Sequence, residues 1–187
     1  EADGIIFQYN YYGPLRKACL GNNLKDRSAG TVVRYNWIED GNRQLDLVDS
    51  DHQELIDQSA YRKTHVYGNI LIEGVGQGNR QIVHYGGDSR DLDRYRKGTL
   101  FFYNNTVIST RKNRTTLFRL SSTDESAEVW NNVFYATHSG NELAISNAAG
   151  RLALSHNWLK TGWKKTHGDL TGTVESKAHL VGFHPGF

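Results

Sequence analysis

Residues Thr99–Thr110 read TLFFYNNTVIST: a β-branched and aromatic run, an Asn pair, then a second apolar run. The pattern recurs as IIFQYNYY from Ile5, TVVRYNWIE from Thr31, HVYGNILIE from His65, AEVWNNVFYAT from Ala127 and LALSHNWLK from Leu152. Aligned on the shared Asn, the copies place Asn10, Asn36, Asn69, Asn105, Asn132 and Asn157 at intervals of 26, 33, 36, 27 and 25 residues. Self-similarity at such a period is the mark of a stacked repeat. The repeated unit is a strand broken by Asn, a poor strand former that tolerates turns and left-handed backbone. One Asn per repeat predicts one polar corner per coil, with the amides of successive coils donating and accepting in a ladder. The expected fold is therefore all-β, a parallel β-solenoid of about six coils.

Composition agrees. The 187 residues are 37% apolar, with 19 Gly and only 2 Pro, which suits many short strands in one domain spanning 1–187. No apolar run approaches the ~20 residues of a membrane span. A net charge of +2 accommodates an acidic glycan but gives no case for nucleic acid. Cys19 stands alone, so no disulfide framework or cysteine metal cluster is expected, and a small buried role is assigned to it. The chain opens inside a repeat and contains no Met. It is read as a segment of a longer β-helix protein whose open end is covered by further coils or by another chain.

Between the copies, QLDLV at 44–48 and QIVHY at 81–85 alternate as strands, so each coil carries at least two. A Gly-rich turn spans 74–79. Two excursions interrupt the N-terminal half: DSDHQELIDQSAYRK at 49–63, with a short helical turn, and the charged DSRDLDRYRK at 88–97. Insertions on one face of a solenoid commonly build its binding face. After Trp163 the pattern weakens, with Val174 and 179–183 as the last strands.

The segments NNLKDRSAGTVVRYNWIEDGNRQLDLVDS, VYGNILIEGVGQGNRQIVHYGGDS and LFFYNNTVIST resemble a group of bacterial right-handed parallel β-helix repeat proteins of the pectate-lyase-like superfamily. The resemblance covers roughly residues 20–187. It implies a right-handed helix, secretion or display on a bacterial surface, and a polysaccharide partner. The superfamily includes lyases that use Lys or Arg as base, commonly with Ca²⁺ bridging the substrate carboxylate, as well as hydrolases and non-catalytic adhesins. Asp26 departs from the group, which usually has Ser there.

Lys25 and Arg27 point the same way on a strand, with Asp26 opposite. Such a pair suits β-elimination of a uronate: Arg holds the carboxylate and Lys removes the α proton. Paired with Asp46 or Asp49 of the next coil, the same two cations are ordinary surface residues. Asp46, Asp49 and Asp51 are candidates for a hard cation such as Ca²⁺, or for a hydrolytic carboxylate pair; Asp46 and Asp49 are taken as the metal pair. His84 is a candidate acid or base. Asn23, Arg43 and Tyr85 are assigned to substrate binding; a core Tyr85 with His84 as a satisfied surface residue is the alternative, and is favoured for that pair. Trp37, Trp130, Trp158, Trp163, Tyr11, Tyr12 and Tyr35 are either sugar platforms or packing between coils, with packing favoured for Trp37 and Trp158. The function expected is a lyase-like enzyme on an acidic polysaccharide; the alternative is a non-catalytic glycan-binding, adhesive or structural segment.

Overall fold

A computed structural model describes residues 1–16, 19–76 and 78–187. The chain winds as a right-handed parallel β-helix with three sheets. The first sheet stacks Ile6–Gln8, Val32–Arg34, Lys63–Tyr67, Thr99–Tyr103, Ser126–Trp130, Arg151–Ser155 and Thr173–Lys177. The second stacks Tyr11–Tyr12, Trp37–Glu39, Ile70–Glu73, Thr106–Ser109, Val133–Ala136, Trp158–Lys160 and Leu180–Gly182. The third stacks Leu24–Asp26, Leu45–Leu47, Gln81–Tyr85, Arg114–Leu120, Glu142–Ser146 and Lys164–Thr166. Six coils thus carry three strands each and a seventh carries two, where the repeat alone had indicated at least two per coil. Of the Gly-rich turn at 74–79, Gln77 lies outside the described residues.

Register turns the alternation of each strand into rows. Val33, Val66, Phe102, Val129 and Leu154 share one inward row of the first sheet. Ile38, Leu71, Val107, Phe134 and Leu159 share one in the second. Leu24, Leu45, Val83 and Phe118 share one in the third. These rows form one continuous core, each buried side chain contributing about 1.5–3 kcal/mol relative to exposure.

The Asn ladder lies at the corner between the first and second sheets. Each Nδ2 donates to the Oδ1 of the next coil's Asn, at 3.0 Å from Asn10 to Asn36, from Asn36 to Asn69 and from Asn69 to Asn105, 3.1 Å from Asn105 to Asn132 and 2.9 Å from Asn132 to Asn157. That Oδ1 also accepts the backbone N–H of the preceding coil's Asn. The left-handed residue of the corner is the one before the Asn: Tyr9, Tyr35, Gly68, Asn104, Asn131 and His156, and in the seventh coil Ala178 before His179, with φ from +54° to +66°. It turns the chain while the Asn points inward. Position 68 has a second constraint, since a Cβ there would lie 2.6 Å from the Tyr35 ring.

The corner between the second and third sheets is polar but irregular. The fully buried Glu73 accepts from Gln44 Nε2 at 2.7 Å and from Arg111 at 2.8 Å. Burial raises its carboxyl to about 7 against these two donors. A carboxyl raised in the folded state stabilises most below its unfolded value, and that contribution fades as pH climbs through about 7. Between pH 4.5 and 8, the unfolding free energy of the wild type should therefore fall with a slope that Glu73→Gln lacks. A total difference on the order of 2–3 kcal/mol is expected by urea titration; parallel profiles would contradict it.

The first excursion carries a one-turn helix at Gln53–Ile56 and a 3₁₀ turn at Ser59–Arg62. Leu55, Ile56 and Tyr61 pack with Ala29 in a second small core. Arg96, near the end of the second excursion, is fully buried. Its guanidinium donates to the carbonyls of Val48 and Ser28 at 3.0 Å. It lies 3.6 Å from Asp26 and 5.0 and 6.0 Å from the ring centres of Tyr61 and Tyr85. Asp26 also accepts from Thr31 Oγ1 at 2.6 Å and Ser28 N–H at 3.1 Å. The Asp26 carboxylate is thus the anionic partner of a buried arginine. Cys19 is exposed rather than buried; its neighbour Leu20 is exposed as well.

Candidate functional site

Four residues singled out by type or register share one row on the third sheet. Lys25 pairs with Asp46, Asp46 with His84 and His84 with Arg119. Their strand neighbours Leu24, Leu45, Leu47, Val83, Tyr85 and Leu120 belong to the core, so the four face outward by alternation.

Asp46 and His84 form the buried centre. His84 Nδ1 lies 2.7 Å from Asp46 Oδ1, and Nε2 lies 2.8 Å from Ser121 Oγ. Burial pushes His84 below its ordinary value; the bond to Asp46 opposes this, and the charges of Arg119 and Arg43 add to it. Neutral His84 then donates from Nδ1 to Asp46 and accepts at Nε2. Burial alone would raise Asp46, but the bond to His84 and the charges of Lys25 and Arg43 outweigh it and hold the carboxyl low. Its other oxygen accepts from Asn22 at 2.7 Å.

The Asp–His–Ser order invites comparison with a nucleophilic triad. Ser121 Oγ, however, is already surrounded. It accepts from Gly87 N–H at 2.9 Å and lies 2.9 Å from Gly87 O and 3.3 Å from Tyr85 O. The Gly86 backbone covers it so closely that a Cβ there would meet Oγ at 2.7 Å. The one donor nearest Oγ is spent on Oγ itself, not aimed at a developing oxyanion. Ser121 ties down the Gly86–Gly87 turn and orients His84.

Lys25 and Arg27 both reach Asp88, at the start of the second excursion. The Lys25 ammonium donates at 2.5 Å and Arg27 at 2.8 Å. Lys25 also lies 3.4 Å from Asp46, and Arg27 lies 3.6 Å from Asp49 and donates to its carbonyl. Asp49, fully buried, accepts from the Asp88 N–H at 2.7 Å. Burial would raise Asp88, but the hydrogen bonds from Lys25 and Arg27 prevail and depress it.

The remaining cations are less committed. Arg43 is nearly buried, donates to Gln81 at 3.1 Å and leaves its Nε without a partner. Burial and the charge of Arg119 lower it, while Asp46 and Asp88 hold it up. The Arg119 guanidinium has no hydrogen-bond or ion-pair partner among the described residues. Two guanidiniums thus stand within electrostatic reach of each other beside a neutral imidazole.

Of the residues expected here, Lys25, Arg27, Arg43, Asp46, Asp49 and His84 converge. Two assignments are corrected. Tyr85 is fully buried beside Arg96 and faces the core, because His84 and Tyr85 alternate. Asn23 turns inward across the chain and donates to the carbonyl of Glu39 at 2.5 Å, so it fastens a corner rather than facing a ligand. His84 has both ring nitrogens engaged and acts as a positioning residue. Asp46 and Asp49 face donors (Asn22, Lys25, His84, Arg27 and a backbone N–H), the opposite of the oxygen cage that Ca²⁺ requires. The pair does not fit a calcium site. No group of three or more potential ligands gathers among the described residues.

The aromatic residues take a different face. Tyr67, Tyr103 and Trp130 stack along the first sheet at 4.9 and 4.5 Å between centres, and Tyr9 stacks on Tyr35 at 5.5 Å. Trp37, expected to pack between coils, is 42% exposed, with its indole N–H donating to Glu39; Trp158 is half-buried against Tyr135.

No family model, curated protein or solved structure matches the chain.

Proposed function

We propose that the protein is a secreted or surface-displayed bacterial β-helix protein that binds an acidic, uronate-type polysaccharide across the outer face of its third sheet. The observation that carries this reading is Arg119, without a hydrogen-bond or ion-pair partner among the described residues, beside the half-satisfied Arg43. An anionic ligand would supply the missing acceptors, and guanidinium forks match carboxylates. Lys25 and Arg27 extend the cationic face to the first coil, one coil beyond Arg43 and three beyond Arg119.

Arg119→Ala tests it. Each charge-assisted hydrogen bond contributes about 1.5–3 kcal/mol, so affinity for a uronate oligomer should fall roughly ten- to a hundredfold. Added salt should weaken the wild type more than the variant. Unchanged affinity would sink the assignment. Arg119 is partly exposed, so the fold is expected to survive.

A second reading, β-elimination, is favoured by one feature: Lys25 and Arg27 already clasp a carboxylate, that of Asp88. A uronate carboxylate displacing Asp88 would meet the same cations. Lys25 would then take the C5 proton, the electron pair would form the C4=C5 bond, and the C4–oxygen bond would break, its oxygen leaving with a proton from water. While Lys25 donates to Asp88 as an ammonium it has no lone pair for this step. Incubation with uronate polysaccharides should raise ultraviolet absorbance if the chemistry occurs, and Lys25→Ala should abolish the rise. A flat trace leaves binding alone.

A further inference from the structure

We propose that the cavity lined by Arg80, Arg114, Thr116, Ser146, Asn147 and His167 is a second oxyanion subsite that takes a carboxylate of the same uronate chain. It rests on the reading of the third face as a polyanion-binding surface. The cavity, of about 150 Å³, lies on strands and turns of coils three to six. The Arg119 cluster spans coils one to four. The two are offset by roughly two coils, on the order of 10 Å at the usual strand spacing.

The lining is rich in donors and contains no carboxylate. The Arg80 guanidinium has no partner among the described residues. Among the described residues the Arg114 guanidinium pairs only with Glu142, at 3.4 Å. Asn147 Oδ1 accepts from Gln81 Nε2 at 2.8 Å. Glu142 stands outside the lining; its Oε1 accepts from Lys164 at 2.9 Å and its Oε2 lies 3.4 Å from Arg114.

His167 gives the independent sign of a ligand. Its side chain is only 7% exposed. Nε2 lies 3.0 Å from the Thr115 carbonyl and so carries the proton, while Nδ1 is buried with no hydrogen-bond partner. The nearest acid, Glu142, is 3.7 Å from Nδ1, beyond a good hydrogen bond. Burial depresses the imidazole, the bond to Thr115 opposes this, and Arg114 and Arg80 depress it further, with Glu142 pulling the other way. An oxyanion seated between the two arginines would cancel their charge and let Nδ1 protonate.

The test follows the His167 ring resonances by NMR while a uronate oligomer, a neutral oligosaccharide of equal length or inorganic sulfate is added to the intact protein. The uronate oligomer should raise the His167 titration midpoint. Arg80→Ala with Arg114→Ala should abolish that rise and weaken the oligomer about tenfold or more. Both arginines are exposed, so folding is not at stake. Oligomer binding that leaves His167 unmoved would overturn the subsite but not the Arg119 surface. Loss of all oligomer binding in Arg119→Ala, with His167 still responding in the wild type, supports two linked seats. An equal response to sulfate at equal concentration would overturn the sugar-borne assignment, making the cavity a free-anion site.

Discussion

Arg96→Met should lower the unfolding free energy by about 3–5 kcal/mol, the cost of removing one partner from a buried ion pair. The fully buried guanidinium donates to the carbonyls of Val48 and Ser28 while facing Asp26. Methionine fills much of the volume but leaves a buried carboxylate without its cation. Arg96→Lys keeps the charge yet cannot fork to two carbonyls, so an intermediate loss is expected. Arg96 also joins the second excursion to Tyr61 of the first, so protease cleavage within 49–62 and 88–97 should rise before global unfolding. A loss below about 1 kcal/mol in urea titration would contradict the role given to this residue.

The second large effect belongs to the ladder. Asn105→Ala removes a side chain that donates to Val66 O, Tyr103 O and Asn132 Oδ1 and accepts from Asn69 N–H and Nδ2. The small alanine admits no replacement partner at this buried corner. Orphaned buried polar groups cost about 1–3 kcal/mol each, so a total of about 3–5 kcal/mol is expected after partial relaxation. Asn10, at the end of the ladder, gives its amide only to Asn36, and Asn10→Ala should cost about 0.5–1.5 kcal/mol. Equal losses at both positions would mean that the corner is held by the backbone alone. Because stacked coils contact only their neighbours, the Asn105 variant should also broaden the transition.

The Asn spacing revealed the ladder because a buried amide is hard to replace at a corner where it must both donate and accept. The left-handed residue beside it was hidden, since Tyr, Gly, Asn, His and Ala all occupy that position and share no chemistry. The third strand of each coil was partly hidden, because the loops before it vary in length and the Asn repeat marks only one corner. Lys25 and Arg27 were legible from alternation, and Asp46 from stacking. Arg119 carries a sequence signal of its own: Lys25, His84 and Arg119 stand 15, 15 and 14 residues past Asn10, Asn69 and Asn105. Asp88 could not be read, because an excursion follows no register. Tyr85 was misassigned because QIVHY allows either His84 or Tyr85 to face the core, and only the partners of Arg96 decide which.

The most direct measurement is calorimetric titration of the protein with a uronate oligomer and with the same oligomer after its carboxylates are reduced to alcohols. The third face, where Arg119 and Arg80 have no partner among the described residues, should bind the uronate and not the reduced oligomer, and binding should weaken as salt rises. Equal affinity for both, or heat from neither, would contradict the assignment of this face to an acidic polysaccharide.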